Sequence, residues 1–333
     1  MSKRQLVSDA FNNRPVERVP VGFWFHFVDG DDFSKGLEYP SVIQKNIEGH
    51  IRFYNGFKPD FVKLMSDGFF NYPNPLLADV KDAAVLKSIK PVGGSHPWIR
   101  KQVELVKTLT ETFGGEVLTF YNIFAPATYF KFLQTSNGNE LLGKLIREDS
   151  EAVRHALDVI GEDLASLADL LIKEGGADGI YLSVQNIQDP YVNKEKYLDV
   201  VAPGELKVLD AANRVSDNNI LHICGYEGSR NDLSFYSGYD AKAVNWAVNI
   251  EDVSLSEGKR FFNGKAVIGG FANSPGSLIH TGSKNEIESF TKALIADAGT
   301  TGIIIGADCT VPNDIRIERL EWVRSAAQIP HEI

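Results

Sequence analysis

The chain has only two cysteines, Cys224 and Cys309, in 333 residues, too few for a disulfide framework. It has no long hydrophobic run: none approaches the roughly 20 apolar residues that span a bilayer. Met1 to Pro20 is polar and charged and lacks the apolar centre of a signal peptide. The expected setting is therefore cytoplasmic, with reduced thiols and no membrane partner. An excess of positive charge is also missing: 34 Lys and Arg stand against 44 Asp and Glu, a net charge of -10. Such a surface repels phosphate backbones, which argues against nucleic acid as a partner. There is no GxGxxG, Walker, GxSxG, HExxH or kinase-like pattern, so the common nucleotide, serine-hydrolase and zincin sites are excluded. No Ser/Gly linker or low-complexity stretch divides the chain, and residues 1–333 read as a single domain.

What is present is the mix of a globular protein, with 43% hydrophobic and 23% charged residues. Eight short apolar runs are bounded by turn residues: Val19–Phe25, Phe61–Ser66, Glu116–Ile123, Gly179–Val184, Asn219–Cys224, Ala243–Val248, Ala266–Phe271 and Gly302–Ala307. Most are nearly continuous in Val, Ile, Leu and aromatics, as in strands buried on both faces of a parallel sheet. Helical periodicity separates them, over Ser41–Tyr54, Pro97–Phe113, Ser150–Glu174, Glu195–Val215 (broken at Pro203), Ser254–Phe262, Ser283–Ala298 and Asp314–Ala327. Eight strand–helix alternations predict an α/β fold of the (β/α)8 TIM barrel class, with a helix before Val19 covering its N-terminal end. The Pro- and Gly-rich stretch from Asp67 to Trp98 reads as a loop partly covering the barrel mouth.

A barrel carries its site at the C-terminal ends of its strands. The candidates there are Trp24 and His26, Asp67, Tyr121 and Asn122, Gln185 and Asn186, His222 and Cys224, Asn245 and Trp246, Asn273, and Asp308 with Cys309. Both cysteines fall on this rim. His222 and Cys224 are two apart on one strand, so they share a face. With Cys309 they offer one imidazole and two thiolates, a known donor set for catalytic zinc with a position left for substrate. The alternative is that both thiols are small buried core residues. Asp67, before Gly68, suits a general acid/base or a turn. His26 offers a proton carrier or a contact to an acidic substrate group, or simply a packing role among Trp24, Phe25 and Phe27. Tyr129, Gln185, Asn245 and Trp246 are candidate pocket residues. Lys63 and Arg230 are the basic residues best placed to meet acidic groups.

From about Arg14 to Ala327 the order of landmarks resembles the uroporphyrinogen decarboxylase superfamily. The segments that carry it are Arg14-Pro15-Val16-Glu17-Arg18-Val19-Pro20-Val21, Ser66-Asp67, Ala125-Pro126, Gly176-Ala177-Asp178-Gly179, His222-Ile223-Cys224-Gly225, Asn245-Trp246, Gly269-Gly270-Phe271-Ala272-Asn273, His280-Thr281-Gly282 and Gly306-Ala307-Asp308-Cys309-Thr310-Val311-Pro312. The resemblance implies a (β/α)8 barrel and two chemistries. The true decarboxylases need no metal; their catalytic aspartate falls on Asp67, and their Met-Arg-Gln-Ala-Gly-Arg run holds substrate carboxylates. Here that run reads Trp24-Phe25-His26-Phe27-Val28-Asp29-Gly30, without arginine, which removes the bidentate forks that carboxylates require. The other branch, the methylcobamide:thiol methyltransferases, carries zinc on a His-x-Cys…Cys set that falls on His222, Cys224 and Cys309. The strand-six position offers Asn245 rather than a carboxylate as a fourth ligand. The expected function is zinc-dependent methyl transfer from a corrinoid to a small-molecule thiol, with a corrinoid protein as a partner and a homodimer as one assembly. The alternatives are tetrapyrrole decarboxylation through Asp67 (porphyrin biosynthesis) and a non-catalytic corrinoid- or tetrapyrrole-binding barrel.

Overall fold

The computed structural model describes residues 1–329; the single domain expected over 1–333 extends past them. Seven parallel strands run β1 (Phe61–Leu64), β2 (Leu118–Phe124), β3 (Gly179–Val184), β4 (Ile220–Ile223), β5 (Ala243–Trp246), β6 (Ala266–Phe271) and β7 (Ile303–Ala307). They pair in sequence order, β1 to β7, in one curled sheet. Two of the expected runs, 179–184 and 266–271, match to the residue.

The first expected strand, Val19–Phe25, is not one. It makes a single parallel bridge, Val21 to Ile305 on β7. Gly22 N–H donates to Ile305 O at 3.0 Å, Ile305 N–H to Pro20 O at 2.9 Å, and Asp60 N–H, just before β1, to Val21 O at 3.3 Å. The segment thus bonds to both edges of the sheet, but Pro20 has no N–H to extend a ladder. The approach is close: a Cβ on Gly22 would lie 2.1 Å from the Phe61 ring, and one on Gly306 would lie 2.6 Å from Gly22 O. Asp60 is buried under Arg18 and also accepts Val21 N–H at 2.7 Å, which pins the segment there.

Alternation along the strands divides two cores. Inside the curl, Trp24, Phe61, Phe120, Tyr181, Ile220, Ala243, Ile268 and Ile304 pack with Val7, Ala10 and Phe11 of the N-terminal helix α1 (Lys3–Phe11). Arg4 of α1 donates to Asp178 and Val117 O, tying the helix to the N-terminal ends of β2 and β3. Outside, the larger core lies between the strands and the helices.

The helices follow the pattern with shifted ends. Helix α2 (Pro40–Phe57) starts one residue before the expected Ser41, with Pro40 in its first turn and Tyr39 as N-cap. Helix α3 (Pro97–Phe113) ends on Gly114 in the left-handed conformation, φ 59°. After the short α4 (Pro126–Phe132), α5 (Gly138–Lys173) breaks at Asp149, so the expected helix from Ser150 is its second part. Pro203 splits the next region into α6 (Lys194–Val200) and α7 (Ala202–Asn213). The short α8 (Val248–Glu251) precedes α9 (Leu255–Phe261), and the short α10 (Leu278–Thr281) precedes α11 (Lys284–Ala298). Capping boxes at Ser254–Glu257 and Ser283–Glu286 set the starts of α9 and α11. Helix α12 (Ile317–Ala326) has Arg316 as N-cap and begins three residues after the expected start at Asp314. The 67–98 stretch mostly leaves the mouth: Val92 and Gly93 N–H groups bond to Asp163 of α5, and only Phe70 and Asn71 reach the cavity. Among the described residues, no helix is long and apolar enough to cross a membrane.

Candidate functional site

The C-terminal strand ends surround a cavity of about 810 Å³, whose wall includes His26, Lys63, Gln185, His222, Cys224 and Cys309. The strand period places Lys63, Asn122, Ser183 and His222 on the interior face, above the apolar layers. His222 stands on β4 and Cys224 follows on the same face, while Cys309 leaves the end of β7. One ligand atom from each of the three lies within 4.8 Å of the others. A tetrahedral ion with bonds of about 2.0–2.3 Å holds its donors at this kind of separation.

His222 is 1% exposed, and among the described residues its ring nitrogens have no well-formed hydrogen bond, only the Cys309 thiol beside them. A buried imidazole satisfied this poorly is costly unless something else meets one of its nitrogens. The two thiols lie against one another. That contact, with help from the His222 imidazole and Lys63 beside it, holds Cys309 well below the ordinary thiol range, and its counterpart, with burial, pushes Cys224 well above it. The donors fit zinc: soft thiolates, one imidazole, and a side open to the cavity.

Lys63 is only 4% exposed, and burial lowers its ammonium to about 8 against the raising charges of Cys309, Cys224 and Asp67. Beside the thiols, Asp308 turns away from the cavity and accepts Asn249 N–H at 3.0 Å, and burial raises it to about 6.

The other expected site residues separate into two groups. His26 and Gln185 line the cavity. Asp67 does not; it is fully buried behind His26, with one oxygen 2.8 Å from His26 Nδ1 and the other accepting Phe27 N–H at 2.7 Å. Its reach to the cavity runs through the imidazole. Tyr129 is buried among Trp98, Phe124 and Phe132, away from the wall. Asn245 is spent as a tie between strands: it accepts from Tyr181 OH at 2.9 Å and donates to Ile268 O at 2.8 Å. Trp246 points outward, its Nε1 donating to Val253 O at 2.9 Å, because it alternates with Asn245. Arg230 donates to Glu251 O at 2.7 Å and is not on the cavity wall.

Sequence reading missed the aromatic wall and Lys131. Phe70 stacks between Phe33 at 4.7 Å and Phe132 at 5.4 Å, with Phe124 edge-on. Lys131 Nζ meets Gln185 Oε1 at 2.7 Å and Asn139 Oδ1 at 3.3 Å. These residues come from two separate loops, the end of β2 and α4, and no spacing links them. The only available signal was that Lys131 and Phe132 follow the Ala125-Pro126 helix start.

Against known families, residues 61–329 match the profile described as Uroporphyrinogen decarboxylase (URO-D). The chain belongs to the uroporphyrinogen decarboxylase family. Two relatives with established names are methyltransferases. The chain is 24% identical over 234 residues to "Methylcobamide:CoM methyltransferase MtbA" of Methanosarcina mazei, covering 70% of this chain and 65% of that protein. The protein of the same name from Methanosarcina acetivorans is 24% identical over 179 residues, covering 54% of this chain and 51% of its own length. The matches thus span less than two thirds of either relative. A solved methyltransferase from Methanosarcina mazei superposes with a TM-score of 0.71 at 16% identity, covering 98% of both chains. A B12-independent methionine synthase from Shewanella sp. gives 0.59 at 13% identity, over 93% of this chain and 97% of its own. Both of these are likenesses of fold.

Proposed function

We propose that this family member is a zinc-dependent methyltransferase that methylates a small thiol, with a corrinoid as methyl donor. The observation that carries the reading is the convergence of Cys224 and Cys309 on the buried imidazole of His222, which has no well-formed hydrogen bond among the described residues. His222, Cys224 and Cys309 would hold the ion, and zinc bound there supplies Lewis acidity that keeps an incoming thiol deprotonated near neutral pH. The protein's own groups do the rest. The Phe33–Phe70–Phe132 stack gives an apolar side wall that excludes water from the sulfur. Asp67 fixes the His26 ring through Nδ1, leaving Nε2 as the nitrogen free to meet substrate. Gln185, braced by Lys131, offers a polar contact on the opposite side. A thiolate held by these residues would be placed to attack a methyl carbon, and the corrinoid would supply a leaving group able to keep the electron pair of the broken bond. In this reading the 19–22 segment acts as the eighth stave of a (β/α)8 barrel, and residues 1–333 form one domain with α1 as its base.

Decarboxylation of uroporphyrinogen is disfavoured, because no arginine is among the cavity-lining residues. The test is metal analysis of protein purified without added zinc, followed by incubation with methylcobalamin and small thiols with and without chelator. Expected are about one zinc per chain and chelator-sensitive thiol methylation that Cys224→Ala and Cys309→Ala abolish. Decarboxylation of uroporphyrinogen that survives chelation and Cys224→Ala would overturn the reading.

A further inference from the structure

Lys63 has no role in the function just described, yet it stands on β1 in the wall of the same cavity as the three ligands. It is almost fully buried, with Nζ 4.2 Å from the Tyr181 ring centre and 5.2 Å from that of Trp24. Tyr181 in turn packs on the His222 ring at 5.8 Å. Among the described residues no carboxylate forms an ion pair or hydrogen bond with Lys63. The nearby acid, Asp67, has both oxygens engaged by His26 and Phe27. A buried ammonium without an acidic partner is unfavourable unless another anion meets it. The anions on this face are sulfur.

Charge counting shows which anion remains to be balanced. A divalent ion with two cysteine thiolates and a neutral imidazole is neutral as a whole. A third thiolate makes the set mononegative, whereas a neutral ligand leaves it neutral beside a cation. We propose that Lys63 is the counter-charge of the His222–Cys224–Cys309 site, a positioning residue that selects an anionic sulfur over a neutral ligand at the open position. The inference rests on the zinc reading above and adds to it the residue that makes thiolate the preferred occupant. On binding, the S–H bond of the thiol breaks, its proton leaves to the buffer, and the sulfur enters as thiolate.

The test uses full-length protein loaded with cobalt(II), whose sulfur-to-metal absorption bands report the ligands directly. Wild type, Lys63→Met and Lys63→Arg are titrated at pH 7 with 2-mercaptoethanol, which has no anionic tail to anchor, and separately with imidazole. Proton release is followed in weak buffer. Lys63→Met should weaken thiol binding by roughly tenfold or more. Imidazole affinity and metal content should stay within about twofold, and Lys63→Arg should restore thiol binding. Equal losses for thiol and imidazole, or no loss for thiol, would overturn the proposal. If Lys63→Met does not fold, Lys63→Gln gives the same reading. A wild type that takes up no metal sinks this inference together with the zinc function. A wild type that binds metal and thiol, with Lys63→Met binding thiol equally well, sinks this inference alone.

Discussion

Replacing Asp67 with Asn tests whether this carboxylate works on substrate or through His26. Asp67 accepts Phe27 N–H at 2.7 Å and meets His26 Nδ1 at 2.8 Å, with no exposure of its own. Asn keeps the volume but offers one acceptor and one NH2. If the amide oxygen stays on Phe27 N–H, the NH2 faces Nδ1, and the imidazole must present a lone pair there. Its proton then moves to Nε2, the nitrogen left for substrate. The fold loses one charge-assisted bond worth about 1.5–3 kcal/mol. For a chain of this size that is a drop in Tm of roughly 2–4 °C. A comparable loss in the transition state lowers kcat/KM by roughly 10–100-fold. The assay is a double-mutant cycle with His26→Gln, reading Tm and methyl-transfer kcat/KM. If Asp67 acts through His26, the double variant is no worse than His26→Gln alone. The reasoning is refuted if Asp67→Asn still removes most activity in the His26→Gln background, or if Tm does not change.

Three further outcomes are expected. Because Cys309 is held well below the ordinary thiol range, metal-free protein should be alkylated by iodoacetamide at one cysteine per chain at about pH 6.5, and zinc should protect it; equal, slow reaction of both thiols only above about pH 8 would contradict this. Glu205 of α7 is buried with Tyr197 and Tyr239 donating to it, and burial raises it to about 8, against about 4.3 in the unfolded chain. The folded state therefore holds this proton where the unfolded state does not, so stability falls as pH rises between those values. Glu205→Gln should remove that fall, and its Tm relative to wild type should rise from pH 5 to pH 8; a pH-independent difference would show the carboxyl to be ionised in the fold. Gly22→Ala should destabilise by about 2 kcal/mol or more in denaturant titrations, because the new Cβ meets the Phe61 ring while Gly22 N–H is bonded to Ile305 O; a neutral effect would show that the segment yields without cost.

Much of the fold is local and therefore legible in the chain. Continuous apolar runs mark strands covered on both sides, and β3 and β6 match to the residue. Gly114 and Pro203 mark where helices stop or split. His222 and Cys224 share a face because a strand repeats every two residues, a statement about neighbours alone. Cys309 is different. Its presence beside them depends on β7 returning next to the 19–22 segment as the sheet curls, over a separation that no local period encodes. The same holds for what failed. Val19–Phe25 has strand composition, but Pro20 and the tight approach to Phe61 leave it one bridge. Asp67, Asn245 and Trp246 lie at strand ends as expected, yet hydrogen bonds to His26, to Tyr181 and to Val253 decide that none of them meets the cavity. The residue types and their order along the chain determined which chemistry was available. Only the tertiary closure, which sets distances between residues far apart in sequence, decided which side chains were left without partners and so available to a ligand.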